Sequence, residues 1–153
     1  MAGYWNRPDE TAAALTDGRL RTGDIGYMDE EGYIFLIDRI KDLILVAGFN
    51  VFPRTVEEAI YENDAVAEVI VIGIPDEMRG QAVKAFVKLA DGKALTVDEL
   101  MAFLDSRIGR HEMPREIEFR EELPKTMVGK LSKKELVEEE TAKYEAAKHA
   151  ATG

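Results

Sequence analysis

Read for alternation and periodicity, the chain divides into a lead-in segment, a hairpin and a succession of helices and strands. LRTGDIGYM and YIFLIDR place apolar side chains at every second position and flank the turn DEEG, which predicts a β-hairpin within the first forty residues. Asp38 to Asp42 is a charged break and a boundary, and the LILVAGFNVF run behind it is interrupted by Gly48 and closed by Pro53. Three hydroxyl residues then stand three positions ahead of a glutamate: Thr55 with Glu58, Thr96 with Glu99, and Ser132 with Glu135. Each pair can satisfy the other's backbone donors as a capping box, so three helix starts are predicted. Between the first two lie the β-branched runs AEVIVIGI and QAVKAFVKL, separated by the turn PDEMRG, and REIEF follows the second helix. From Thr55 the order is helix, strand, strand, helix, strand, helix. It predicts an α+β fold, an N-terminal β-hairpin segment followed by a small sheet covered by helices. The final EEETAKYEAAKHAA is Ala-rich with mixed charge and has no continuous apolar face, so residues 136–153 read as a solvated helix or tail. No internal repeat is present.

Composition narrows this picture. A chain of 153 residues holds one domain, or one with a small appendage, and can bury a real core. With 46% apolar and 33% charged residues and no apolar run near the ~20 residues a bilayer span needs, it does not read as an integral membrane protein. The absence of cysteine excludes disulfides, thiolate zinc sites and a Cys nucleophile, and Met1 begins no signal segment. A cytoplasmic setting is expected, with a peripheral position at a membrane left open. The formal charge of −10 argues against nucleic-acid binding, which gains affinity from clustered Lys and Arg on phosphates. An anionic ligand therefore needs a local basic patch. Arg120, Lys125, Lys130, Lys133 and Lys134 supply one, against only Glu121 and Glu122 in the same window.

Each candidate motif has an ordinary reading. Thr22-Gly23-Asp24 alone is first a loop bend with a solvated carboxylate; its other reading is a backbone free to approach a ligand beside an acceptor for a ribose diol. Gly129-Lys130 alone is a surface turn, and it lacks the Ser or Thr and the first Gly of a P-loop, so that mode of nucleotide binding is excluded. His111 and His149 are lone histidines without a partner pattern and read as surface residues.

Order and spacing add to this. TGD at 22–24, Asp-Arg-x-Lys-Asp at 38–42, Gly-Phe-Asn with a following Pro at 48–53 and Pro-Lys-Thr-x-x-Gly-Lys at 124–130 stand in one register. The set resembles the C-terminal part of an AMP-forming acyl-CoA synthetase, in the adenylate-forming superfamily that also holds firefly luciferase and the adenylation domains of peptide synthetases. DGRLRTGDIGYMDEEGYIFLIDRIKDLILVAGFNVFP is most similar to the long-chain fatty acid branch. The resemblance implies that residues 1–40 close the large N-terminal domain and that 41–135 form the C-terminal lid domain, with 136–153 as the solvated helix or tail.

It also implies roles. Asp24 and Arg39 match the residues that reach the nucleotide ribose. Lys41 matches the hinge position, where a charged residue suits a pivot that neither pose has to bury; its ordinary reading is a surface lysine paired with Asp38 or Asp42. Lys130 matches the catalytic lysine of the adenylation step, bridging the carboxylate substrate and the α-phosphate, where an ammonium stabilises charge developing on phosphorus. Gly48, Phe49 and Asn50 match the segment lining the channel for the pantetheine arm of CoA, and Gly48 is otherwise a glycine at a bend before Pro53. ATP and Mg²⁺, bound mainly by the N-terminal large domain, and CoA as co-substrate are implied with it. No metal ligand is assigned within this chain. The sequence departs from the pattern at Arg19, at Leu45, where relatives in other branches carry a second lysine, and at His111-Glu112, where Tyr-Lys is common. Loss of that lysine puts a contact to a CoA phosphate in doubt.

The expected function is therefore the C-terminal fragment of a fatty acid–CoA ligase, inactive alone, whose partners are its own large domain, a fatty acid and CoA. Two alternatives stand beside it: a standalone α+β interaction module, and the lid of an adenylation enzyme that loads a carrier protein. A hairpin without its parent domain can also pair with another copy, so a homo-oligomer remains open.

Overall fold

The structure is a computed structural model that describes residues 1–151. The chain separates into two compact units, Met1–Lys41 and a second that begins at Asp42.

The first unit opens with α1 (Pro8–Ala14), then a two-residue ribbon of β1 (Leu15–Thr16) and β2 (Arg19–Leu20), then the hairpin β3 (Asp24–Met28) and β4 (Ile34–Arg39). The alternating hairpin is as expected, except that Leu20 belongs to β2 and Arg21–Gly23 form a connecting loop. None of its residues is buried. Tyr27, Met28, Tyr33, Ile34, Phe35 and Leu36 are all exposed, and the Tyr27 and Phe35 rings stack on each other at 5.0 Å. A hairpin with apolar residues on both faces and no core of its own is marginal as an independent unit.

The second unit holds β5 (Ile44–Val46), β6 (Phe49–Val51), α2 (Pro53–Tyr61), β7 (Val66–Asp76), β8 (Gly80–Leu89), α3 (Val97–Leu104), β9 (Glu116–Phe119) and α4 (Lys133–Ala151). The helix and strand order from α2 onward is the predicted one. Strand order is β6-β5-β8-β7, all antiparallel, with β9 pairing in parallel to β8. The apolar run after the charged break is a hairpin in its own right, which alternation alone did not reveal.

Both faces of the β7–β8 ribbon are buried. Val69, Val71, Val83, Ala85 and Val87 meet α2 and α3 through Val56, Ile60, Leu100 and Leu104. Ile70, Ile72, Ile74, Ala82 and Phe86 meet Leu123 and Leu136 on the other side. A strand pair buried twice reads as continuous apolar sequence, which is why AEVIVIGI shows no alternation. Fully burying each such side chain contributes about 1.5–3 kcal/mol.

Local signals explain the helix starts unevenly. At α3 the capping box forms: Glu99 N–H donates to Thr96 Oγ1 at 3.3 Å and Thr96 N–H to Glu99 Oε2 at 2.8 Å. At α2 the expected box between Thr55 and Glu58 does not form. The helix begins three residues earlier than a cap at Thr55 would give, at Pro53, whose fixed φ and missing N–H suit the first helical position, and no side chain caps Phe52. Thr55 N–H instead donates to Phe52 O, and Glu58 accepts from Arg54 Nε at 2.8 Å. Helix α4 starts at Lys133, directly after Ser132.

The stretch read as a solvated helix or tail is helical through Ala151, with residues 152 and 153 outside the described part. It is not wholly solvated. Leu136 is fully buried and Glu140 is 7% exposed, because α4 crosses β7 and Glu140 reaches Lys84.

Candidate functional site

In the first unit, β3 and β4 pair Asp24 with Arg39 in register, and Arg39 Nε lies 3.4 Å from Asp24 Oδ1. Asp24 N–H donates to Thr22 Oγ1 at 3.1 Å and Ile40 N–H to Gly23 O at 2.8 Å, which fixes the TGD bend. Arg21, Thr22, Gly23, Asp24, Arg39 and Lys41 are among the residues lining an open cleft of about 740 Å³. A carboxylate held by a single guanidinium keeps lone pairs free for a diol. Lys41 is exposed, in the short 3₁₀ turn Ile40–Asp42.

In the second unit, Pro124-Lys125-Thr126-Met127-Val128-Gly129-Lys130 forms a tight β-turn. Thr126 N–H donates to Lys130 O at 2.7 Å, Gly129 N–H to Thr126 O at 2.8 Å, and Ser132 N–H to Pro124 O at 2.8 Å. Lys125 and Leu131 pair as an antiparallel bridge. Met127, Val128 and Gly129 make a three-residue loop, and Gly129 takes the left-handed conformation (φ 78°) that closes such a loop. Met127 and Val128 stand fully in solvent at the tip.

The basic patch predicted around this turn is largely neutralised. Arg120 pairs with Glu118 and Glu139, Lys125 with Glu68, Lys133 with Glu57 and Lys134 with Glu138. The window count missed these acids because they come from β7, β9, α2 and α4. Among the described residues, Lys130 is the one cation of the five with no carboxylate partner, and it is exposed.

Gly48 sits in the two-residue turn between β5 and β6. Ala47 (φ 50°) and Gly48 (φ 87°) are both left-handed, the requirement of a tight hairpin turn, and Ala47 N–H donates to Arg79 O at 2.9 Å. No heavy atom lies within 4 Å of a Cβ built on Gly48, so the turn explains the glycine within this unit. Gly48→Ala is expected to lower stability by about 1 kcal/mol, and Gly48→Asn by less, since Asn tolerates that conformation. Thermal denaturation of the two variants checks this. Phe49 and Asn50 are exposed, and the Phe49 ring contacts His111 at 5.1 Å. His111 is thus a surface residue with an aromatic neighbour. Glu112, in place of the usual lysine, accepts the Gly109 N–H at 2.7 Å and closes a turn.

Lys130 and Gly48 lie at opposite ends of the β7–β8 ribbon. Lys125, at the base of the lysine turn, reaches Glu68 near the start of β7, while the Gly48 turn bonds to Arg79, beyond its end. At about 3.3 Å per residue, the strand between them spans roughly 25 Å.

Sequence reading missed one cluster altogether. Lys84 on β8, 7% exposed at its side chain, lies 2.9 Å from Glu140 on α4 and 3.2 and 3.1 Å from Glu116 and Glu118 on β9. Burial pushes the Lys84 ammonium down, but hydrogen bonds to Glu140, Glu118 and Glu116 outweigh it and leave its pKa above the ordinary value. The signal was present as a lysine in the middle of QAVKAFVKL, with each of the other residues from Ala82 to Val87 apolar.

A sheet covered on both faces, with a Pro-Lys-Thr-x-x-Gly-Lys turn at one end and a glycine turn at the other, is of the C-terminal lid-domain type of adenylate-forming enzymes. Residues 55–130 match the AMP-binding enzyme C-terminal domain, and the chain belongs to that family. A long-chain-fatty-acid–CoA ligase of Bacillus subtilis (strain 168) is 54% identical over 144 residues, covering 94% of this chain and 26% of the relative. The fatty acid–[acyl-carrier-protein] ligase ScoC of Streptomyces coeruleorubidus is 44% identical, covering 89% of this chain and 26% of its own length. Among solved structures, the o-succinylbenzoate CoA synthetase of Bacillus subtilis in complex with its acyl-adenylate superposes with a TM-score of 0.82 at 33% identity, covering 88% of this chain and 27% of that one. The chain spans about a quarter of the length of the curated relatives it matches.

Proposed function

We propose that this chain is the C-terminal part of an AMP-forming fatty acid–CoA ligase and is inactive without the large domain. The reaction is fatty acid, ATP and CoA to acyl-CoA, AMP and pyrophosphate. Lys130 supplies the cation of the first half-reaction, lying between the attacking carboxylate and the α-phosphate. Asp24 and Arg39 bind the ribose. After adenylation, rotation about Lys41 exchanges the Lys130 end for the Gly48 end, and Gly48, Phe49 and Asn50 line the passage for pantetheine.

One observation carries the reading. Among the described residues, the one cation of the motif turn without a carboxylate partner and the Gly48 turn lie at opposite ends of one β-ribbon, so one body can offer either but not both to a single site. The absence of any buried residue in Met1–Lys41 supports assigning that unit to a larger domain. Mg²⁺ is held mainly by the large domain.

Similarity to a carrier-protein ligase keeps a second thiol acceptor in view. The test is to graft this chain in place of the matching quarter of the Bacillus subtilis ligase and to assay acyl transfer to CoA and to an acyl-carrier protein. Acyl-CoA formation is expected, with none from the chain alone. Transfer to the carrier protein only would move the assignment to that class.

A further inference from the structure

The turn that carries Lys130 is held by an ion pair on each side. Ahead of it, Lys125 Nζ lies 2.5 Å from Glu68 Oε1 on β7; behind it, Lys133 Nζ lies 2.9 Å from Glu57 Oε1 on α2. Both carboxylates are fixed in place. Glu57 Oε1 also accepts the Val71 N–H at 2.9 Å, and Glu68 Oε2 is buried with no hydrogen-bond partner. A carboxylate with one oxygen removed from water and unpaired depends on its single cation. Leu131, between the two anchors, packs against the Ile70, Phe86 and Leu136 core. The tip is free by contrast, with Met127 and Val128 in solvent and open space around Gly129.

Two roles fit a pair of acids beside a catalytic lysine. They can cancel the charge of its neighbours, or they can hold its backbone still. Ion pairs that stay partly in water add little to folding, but fixing both ends of a short loop restricts where its tip can go. A displacement of about 1 Å at a reacting centre can cost about 100-fold in rate.

We propose that Glu68 and Glu57 are positioning residues for Lys130, acting through Lys125 and Lys133. Resting on the adenylation reading of Lys130, this adds the residues that aim it. In the full-length graft, Glu68→Gln is expected to lower the kcat of acyl-adenylate formation by about 10- to 100-fold, with KM for ATP little changed. Thioester formation from preformed acyl adenylate should stay at the parent rate. The double exchange Glu68→Lys with Lys125→Glu should recover most of the loss. Charge cancellation alone predicts the opposite: an uncovered Lys125 would lower KM for ATP and spare kcat, and that result overturns the proposal. So does an equal fall in both half-reactions. Should Glu68→Gln fail to fold, Lys133→Met removes the second anchor and must give the same split. Lys130→Ala measured in parallel separates the two ideas: if it impairs adenylation selectively and the anchor variants do not, positioning alone is refuted.

Discussion

Lys130→Ala in the full-length graft is expected to slow acyl-adenylate formation by about 10²- to 10³-fold, with thioester formation from preformed acyl adenylate close to the parent rate. The magnitude follows from what the ammonium would meet on the adenylation reading proposed above. Negative charge grows on phosphorus oxygens as the carboxylate attacks and pyrophosphate departs, so a cation placed there stabilises the transition state more than the bound substrates. The structure supplies the rest of the argument. Among the described residues Lys130 has no carboxylate partner and it is exposed, so its removal strands no buried charge and stability should change by less than about 0.5 kcal/mol. The lost rate is then a catalytic loss and not an unfolding one. Lys130→Arg should recover only part of it, because a planar fork does not replace a compact point charge. Separate measurement of pyrophosphate release and of acyl transfer checks all of this, and an equal loss in both steps would refute the division of labour.

How much of this was legible in the sequence depends on the range of each interaction. The hairpin at Asp24–Arg39, the order of elements from α2 to α4 and the capping box at Thr96 are local, and alternation and spacing carry them. Thr55 shows where a local rule yields to another: a capping box and an N1 proline compete within three residues, and the proline sets the start. The turn around Lys130 was legible as a turn, but its electrostatics were not. Four of the five cations counted as one patch are paired with acids outside the counted window, from Glu138, four positions beyond Lys134, to Glu57, 76 positions before Lys133; Glu139 pairs with Arg120 and Glu68 with Lys125. A window count sees only neighbours in sequence. Among the described residues, the fold leaves one of these five cations, Lys130, without a carboxylate partner.

Lys84→Ala is expected to destabilise the second unit by about 3–5 kcal/mol, the usual cost of breaking a buried ion pair by removing one partner. Against a total of about 5–15 kcal/mol this is a large fraction, and the melting temperature should fall by roughly 10–25 °C. The loss comes from what remains. Glu140, 8% exposed at its side chain, would keep only Lys143, whereas Glu116 is already half in water and can turn outward. Lys84→Met with Glu140→Leu should therefore recover much of the stability, since an apolar pair of similar volume needs no charge compensation. The acid dependence tests the same network. Burial pushes Glu140 and Glu118 up, but hydrogen bonds from Lys143 and Lys84 to the first, and from Arg120 and Lys84 to the second, leave both below the ordinary 4.5; bonds from Arg120 and Lys143 hold Glu139 down to about 2. Between those values the unfolded chain binds more protons than the folded one, so stability rises with pH through that window. It is complete above about 4.5 and is lost as pH falls toward 2. In Lys84→Ala, burial dominates at Glu140, its carboxyl takes up a proton on folding, and lowering the pH from 7 to about 4 should narrow the gap to the parent protein. Melting curves across that range check the sign, and a gap that widened with acid would show that Lys84 does not hold the charge of Glu140.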